Sequence, residues 1–218
     1  MIPLRSSERT YSTPTVTLTL IAINLVIFFY EITLPEWQLN RIIRLYGLAP
    51  EYFRPSMLFT SMFLHGGWLH VLGNMWFLWI FGKGIEDLLG HGKFLAFYLV
   101  CGIAAGFIHV LANYNSPVPT IGASGAIAGV MGAYLIKFPR ASIVTLIFIF
   151  IFFTTVDIPA AFLLAYWFLI QFFSGVGSVG DSQISHGDVA WFAHVGGFLA
   201  GMVLVKIIPA KQRFPRWY

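Results

Sequence analysis

The chain has 218 residues, of which 58% are hydrophobic and only 10% charged. Soluble domains carry roughly 25% charged residues, so this sequence lacks the polar surface to face water on all sides. The net charge of +4 is small and scattered, which excludes a nucleic-acid footprint, and the single cysteine, Cys101, excludes a disulfide framework.

The opening stretch "MIPLRSSERTYSTPT" is polar and has no small-residue cleavage site before the first apolar run. Residues 1–14 therefore read as a cytoplasmic N-terminal segment, with no removable signal peptide expected. A first membrane span is expected at 15–34, ending at Pro35. The loop 35–67 mixes aromatic and basic residues and reads as a partly inserted, amphipathic outer structure. Further spans are expected at 68–88, 94–112, 124–138, 159–174 and 191–208. The fourth is short. Its 15 residues rise about 22 Å, less than the roughly 30 Å hydrocarbon core. Such a helix must be enclosed by other protein, with its mouth open to water.

Two connecting stretches need separate readings. "ASIVTLIFIFIFFTTV" (141–156) is apolar enough to cross, but counting it would put the C-terminus outside and reverse the sixth span. It is read instead as re-entrant or interfacial on the cytoplasmic side. The Gly/Ser-rich loop 175–190 reads as mobile and could cap a site beside the sixth span. With the N-terminus inside, ten of the 13 basic residues fall on inner segments and three (Arg41, Arg44, Arg54) on outer ones. That bias favours both termini in the cytoplasm. The expectation is an all-α membrane protein, a six-helix bundle forming one domain over 1–218.

Polar groups inside a bilayer are costly, so each asks for a reason. His70 and Asn74 lie early in the second span, four residues apart and so on one helix face. Ser124 opens the fourth span and His194 opens the sixth. Each alone has a structural explanation: a serine bonding back to its helix, or a His or Asn bridging two helices. Four at one depth on three helices suggest a site. Nucleophilic catalysis needs a hydroxyl, a base within reach and donors for the developing oxyanion. Ser124 supplies the hydroxyl at a helix N-terminus, where free N–H groups and the dipole favour negative charge. His194 is the base candidate. Gly197 and Gly201 follow it on one face, while Gly125, Gly129 and Gly132 follow Ser124, so the two helices can approach closely. No acidic residue is compelled as a third member: Asp188 lies in the loop and Asp157 on the inner side.

These residues resemble the rhomboid family of intramembrane serine proteases. "GASGAIAG" (122–129) is similar to the family's GxSG nucleophile motif at Ser124. "HGGWLHVLGNMWFLWIFGKGIE" (65–86) is similar to its second-span pattern at His70 and Asn74, and "AHVGGFLAG" (193–201) to its base-bearing motif at His194. "YGLAP" (46–50), "WFLIQFFSG" (167–175) and "DVAWFAH" (188–194) are further matches.

The resemblance implies a Ser124–His194 dyad with an oxyanion hole made by His70, Asn74 and the Ser124 N–H. It also implies structural roles for His65 and Glu86. The implied substrate is a single-pass transmembrane protein cut near the outer membrane face, in contact with membrane lipid. No metal, cofactor or nucleic acid is implied, and a prokaryotic cytoplasmic (inner) membrane is the expected location. The fifth span would serve as a side gate.

Two departures stand out. Ala128 occupies a position where the family often stacks an aromatic ring on the imidazole, so the base is either held by another group or less rigid. Trp37 is followed by Gln38 rather than by the arginine seen in some members. The alternatives are a non-catalytic relative that grips transmembrane segments, or a metal transporter using His65, His70, His109 and His194. His91 and His186 read as solvated loop residues, and His109 as an interhelical bond or a surface group.

Overall fold

The computed structural model describes residues 1–149, 152–177 and 190–211. Each expected span is a helix. The first is α1 (Thr15–Glu31), an apolar run opened by Pro14 and closed a few residues before Pro35. Pro14 offers no side-chain cap, so the free N–H groups of the first turn need an outside acceptor. The outer loop holds α2 (Glu36–Tyr46) and the short α3 (Met57–Thr60). No α2 residue is fully buried, which fits the amphipathic surface structure expected there.

The second span is α4 (Trp68–Phe77), a π-helical turn (Leu78–Gly82) and α5 (Lys83–Leu89) in unbroken succession. Gly90, with φ +82°, turns the chain into α6 (His91–Ala112). The helix thus begins at His91, three residues before the expected start. His91 is solvent-exposed as expected, but it opens α6 rather than lying in a loop, and its Nδ1 lies 2.6 Å from Glu86 Oε1.

The remaining helices are α7 (Ser124–Lys137), α8 (Ala160–Gly177) and α9 (Trp191–Ile207). Among the described residues, α6 and α8 are long and apolar enough to cross a membrane, while α1, α7 and α9 are shorter apolar helices.

Helix α7 is the centre of the molecule. Its 14 residues rise about 21 Å, and every side chain from Gly125 to Tyr134 is buried. The enclosure that a short span demands is supplied by α6 on one side and α9 on the other. Glycines make the α7–α9 seam. A methyl group on Gly197 would overlap the carbonyl of Gly125, and one on Gly201 the carbonyl of Gly129. From the other side, a methyl on Gly132 would overlap the Phe198 carbonyl. Backbone meets backbone here, which only residues without a Cβ permit.

The described part of the stretch 141–156 is extended rather than helical. It forms most of an antiparallel pair, β2 (Ser142–Ile149) and β3 (Phe152–Pro159). The N-terminal segment joins this sheet. Strand β1 (Ile2–Ser6) pairs with β2, with Ile2 opposite Leu146 and Ser6 opposite Ile143, giving the order β1-β2-β3. The mostly helical fold fits the all-α expectation, and beside its helices it carries a three-stranded sheet at the end of α7 away from Ser124. Sheet edges leave N–H and C=O groups unpaired, which hydrocarbon does not tolerate, so this hairpin is not a further span. Trp76 Nε1 donates to the Pro3 carbonyl at 2.6 Å, and Ser6 Oγ hydrogen-bonds the Tyr134 hydroxyl. These contacts fasten the sheet to α4 and α7.

Candidate active site

Ser124 is delivered by a short segment held on three sides. Leu48 and Thr120 exchange two backbone hydrogen bonds of 2.9 Å, Gly122 N donates to the Ser61 carbonyl at 2.9 Å, and Thr120 Oγ1 bonds His109 Nε2 at 2.9 Å. His109 is thus buried and committed to the loop rather than being a surface group. Gly122 has φ +122°, a conformation that side-chain-bearing residues avoid. A Cβ there would also collide with the His70 imidazole and lie 3.5 Å from Asn74 Nδ2. The glycine of the GxSG pattern therefore lets His70 and Asn74 crowd against the turn that presents Ser124.

The α7–α9 seam then brings Ser124 and His194 together. Ser124 is the first residue of α7 and His194 lies in the first turn of α9. With the two backbones in contact, Ser124 Oγ and His194 Nε2 lie 2.8 Å apart. His194 Nδ1 lies 2.5 Å from Gln171 Oε1 of α8. The imidazole also packs on Trp167, with ring centroids 5.7 Å apart and planes inclined by 39°. Ala128 offers no ring, and α8 supplies one in its place.

On the other side of Ser124 stand the donors. Gly66 N–H donates to His70 Nδ1 at 3.4 Å, which leaves the proton of the neutral ring on Nε2, the nitrogen nearest Gly122. Asn74 Nδ2 is buried and has no hydrogen-bond partner among the described residues. A buried donor left open is rare and points to a group bound only during function. All four predicted residues, Ser124, His194, His70 and Asn74, line one cleft of about 860 Å³. Its walls include Arg44 of α2, Leu69 and Phe77 of α4, Met131 of α7 and Trp167 of α8. Among the described residues, no acidic side chain lines it. The expected capping loop falls mostly at 178–189, outside the described residues.

His65 and Glu86 lie outside the cleft lining and bear on structure. The fully buried Glu86 carboxylate accepts Val16 N–H and Thr17 N–H at 2.8 Å each and the Thr17 hydroxyl at 2.6 Å. It is the missing N-terminal cap of α1, supplied from α5, where negative charge also suits the helix dipole. His65 is buried edge-on against His70, with ring centroids 5.1 Å apart. Burial pushes its imidazole down to about 4.

Gln171 and Trp167 were not among the residues singled out. They stand four apart, one helical turn, in "WFLIQFFSG", the same spacing as His70 and Asn74. An amide in an apolar span was the signal available.

Comparison with known proteins bears on the family. The rhomboid domain matches residues 50–211. The chain belongs to the rhomboid family. It is 28% identical over 176 residues to "Rhomboid protein 1, mitochondrial" of Saccharomyces cerevisiae, covering 77% of this chain and 47% of the relative. It is 34% identical over 87 residues to the human "Presenilin-associated rhomboid-like protein, mitochondrial", covering 39% and 23%. To "Rhomboid protease GluP" of Bacillus subtilis (strain 168) it is 41% identical over 78 residues, covering 36% and 15%. The chain thus spans about half the length of the yeast relative and less of the others. As a rhomboid it is an integral membrane protein.

Proposed function

We propose that this rhomboid is an intramembrane serine endopeptidase that cleaves single-pass membrane proteins near the outer membrane face. The observation that carries the reading is the 2.8 Å hydrogen bond between Ser124 Oγ and His194 Nε2, at the wall of a cleft that also holds an open donor, Asn74 Nδ2. Six helical spans with both termini cytoplasmic, in one domain, give the orientation that opens this cleft outward. Relatives named as mitochondrial stand beside a bacterial one, and the same cleft would serve either membrane.

The mechanism follows from the hydrogen-bond roles. Ser124 Oγ attacks the scissile carbonyl as His194 Nε2 takes its proton. The tetrahedral oxyanion is met by the Ser124 N–H, free in the first turn of α7, and by Asn74 Nδ2 and His70 Nε2–H. Each such donor contributes about 3–4 kcal/mol to the barrier reduction in a water-poor site. His194 then gives its proton to the leaving amine, the bond to it breaks, and an acyl-enzyme on Ser124 remains. Water attacks that ester with His194 again as base, releasing the acid and restoring the serine. A transmembrane segment reaches the cleft between α4 and α8, whose Phe77 and Trp167 both line it.

The test is cleavage of a single-pass substrate in liposomes by wild type, Ser124→Ala and His194→Ala. Wild-type cleavage and its loss in both variants support the reading. Cleavage that persists in either variant rejects the pair.

A further inference from the structure

We propose that Gln171 is the positioning residue of the catalytic imidazole, so that the site works as Ser124–His194–Gln171 with a neutral amide as third member. This rests on the reading of Ser124 and His194 as the reacting pair.

Gln171 is one of the few buried side chains of α8, only 7% exposed on a helix whose outer faces are large apolar residues. A buried amide in such a helix needs a partner, and its oxygen finds one at His194 Nδ1, 2.5 Å away. The chemistry of that contact is directional. An amide oxygen accepts and cannot donate, so Nδ1 must carry the ring proton. Nε2 then presents its lone pair to the Ser124 hydroxyl, as a general base must. The reversed amide would donate to Nδ1 and put the proton on Nε2, the wrong tautomer for the reaction.

The amide does here what a carboxylate does in soluble triads, and its neutrality fits the site. No acidic side chain among the described residues lines the cleft, and an uncompensated carboxylate in these surroundings would be costly to desolvate. The amide dipole fixes the tautomer without a buried charge. It also stabilises the imidazolium less, which favours slow turnover.

Trp167, one turn earlier on the same helix, contacts the imidazole and also Phe198, at centroid distances of 5.7 and 6.0 Å. Tautomer and ring plane are therefore both set from α8, while the imidazole itself is carried by α9. The base is armed only with α8 seated on α9.

The test uses the full chain in detergent with a single-pass substrate, with melting temperature, kcat, KM and pH profile measured for Gln171→Met and Gln171→Glu. Methionine keeps the length and removes the acceptor. Its kcat is expected to fall about 100-fold, the low end of what a general base contributes, with KM within about twofold. Glutamate keeps the acceptor and adds charge. It should recover much of kcat and move the acid limb of the pH–rate profile up by about one pH unit.

A folded Gln171→Met with kcat within threefold of wild type overturns the proposal. So does Gln171→Glu as slow as Gln171→Met with an unmoved acid limb, which would mark a packing role. Should Gln171→Met not fold, the acid limb of Gln171→Glu decides alone. Ser124→Ala is assayed alongside: cleavage there rejects the protease reading itself, whereas an inert Ser124→Ala with a fast Gln171→Met rejects only the glutamine.

Discussion

Helices α8 and α9 both touch the imidazole of His194, one by holding it and the other by carrying it, yet they are built on opposite principles. Helix α9 turns Gly197 and Gly201 onto carbonyls of α7, so its position is fixed by backbone against backbone. Helix α8 buries only Ala160, Leu164, Gln171 and Gly175 and leaves Phe162 and Phe173 largely exposed. Ser124 and His194 ride on a seam with no slack. Gln171 and Trp167, which touch the imidazole, ride on the helix with least to hold it.

The sharpest way to break this contrast is to add a side chain to the seam. Gly201→Val places carbon where the Gly129 carbonyl stands, and backbone cannot rotate away as a side chain could. Loss of folded protein is expected, seen as aggregation on size-exclusion chromatography. On α8, Phe173→Ala is expected to leave the melting temperature in detergent nearly unchanged. Equal effects at the two sites would erase the distinction.

The oxyanion side comes next. Asn74→Ala removes an open donor and no formed hydrogen bond of that Nδ2. It should therefore lower kcat roughly 100-fold and leave melting unchanged. A parallel loss of stability would make Asn74 a structural bridge instead.

Glu86→Ala uncaps α1 and strips His91 of one of its two partners, leaving the Thr15 hydroxyl. A loss of about 2 kcal/mol is expected, read by denaturation, with kcat per folded molecule preserved.

The smallest effect is at His65. Its imidazole is held near 4 when folded against an ordinary 6.5, so the unfolded chain binds a proton first as pH falls. The associated stability is complete above about 6.5 and is lost progressively toward 4. Comparing melting at pH 7 and pH 5 for wild type and His65→Phe isolates it from its neighbours His70 and Glu31. The variant should show the weaker pH dependence, and an unchanged dependence would remove His65 from the account.

Much of the site could be read from the residues because the bilayer makes polarity conspicuous. Ser124, His194, His70 and Asn74 stood out as costly groups at one depth, and the glycines after Ser124 and His194 foretold their seam. Gln171 was passed over because it carries no charge and its neighbours Phe172 and Phe173 suggest only an apolar helix.

The sheet was hidden for another reason. Residues 143–149 are continuously apolar or β-branched with little alternation, and such a run does not separate strand from buried helix. Its partner β1 lies some 140 residues away in sequence, beyond any local pattern.

The most direct measurement of the central claim is covalent. A fluorophosphonate probe reacts only with an activated serine, and mass spectrometry locates the adduct. Labelling of Ser124 in wild type, abolished in a folded His194→Ala, is the predicted result. An unlabelled Ser124, an adduct on another residue alone, or equal labelling without the imidazole would contradict it.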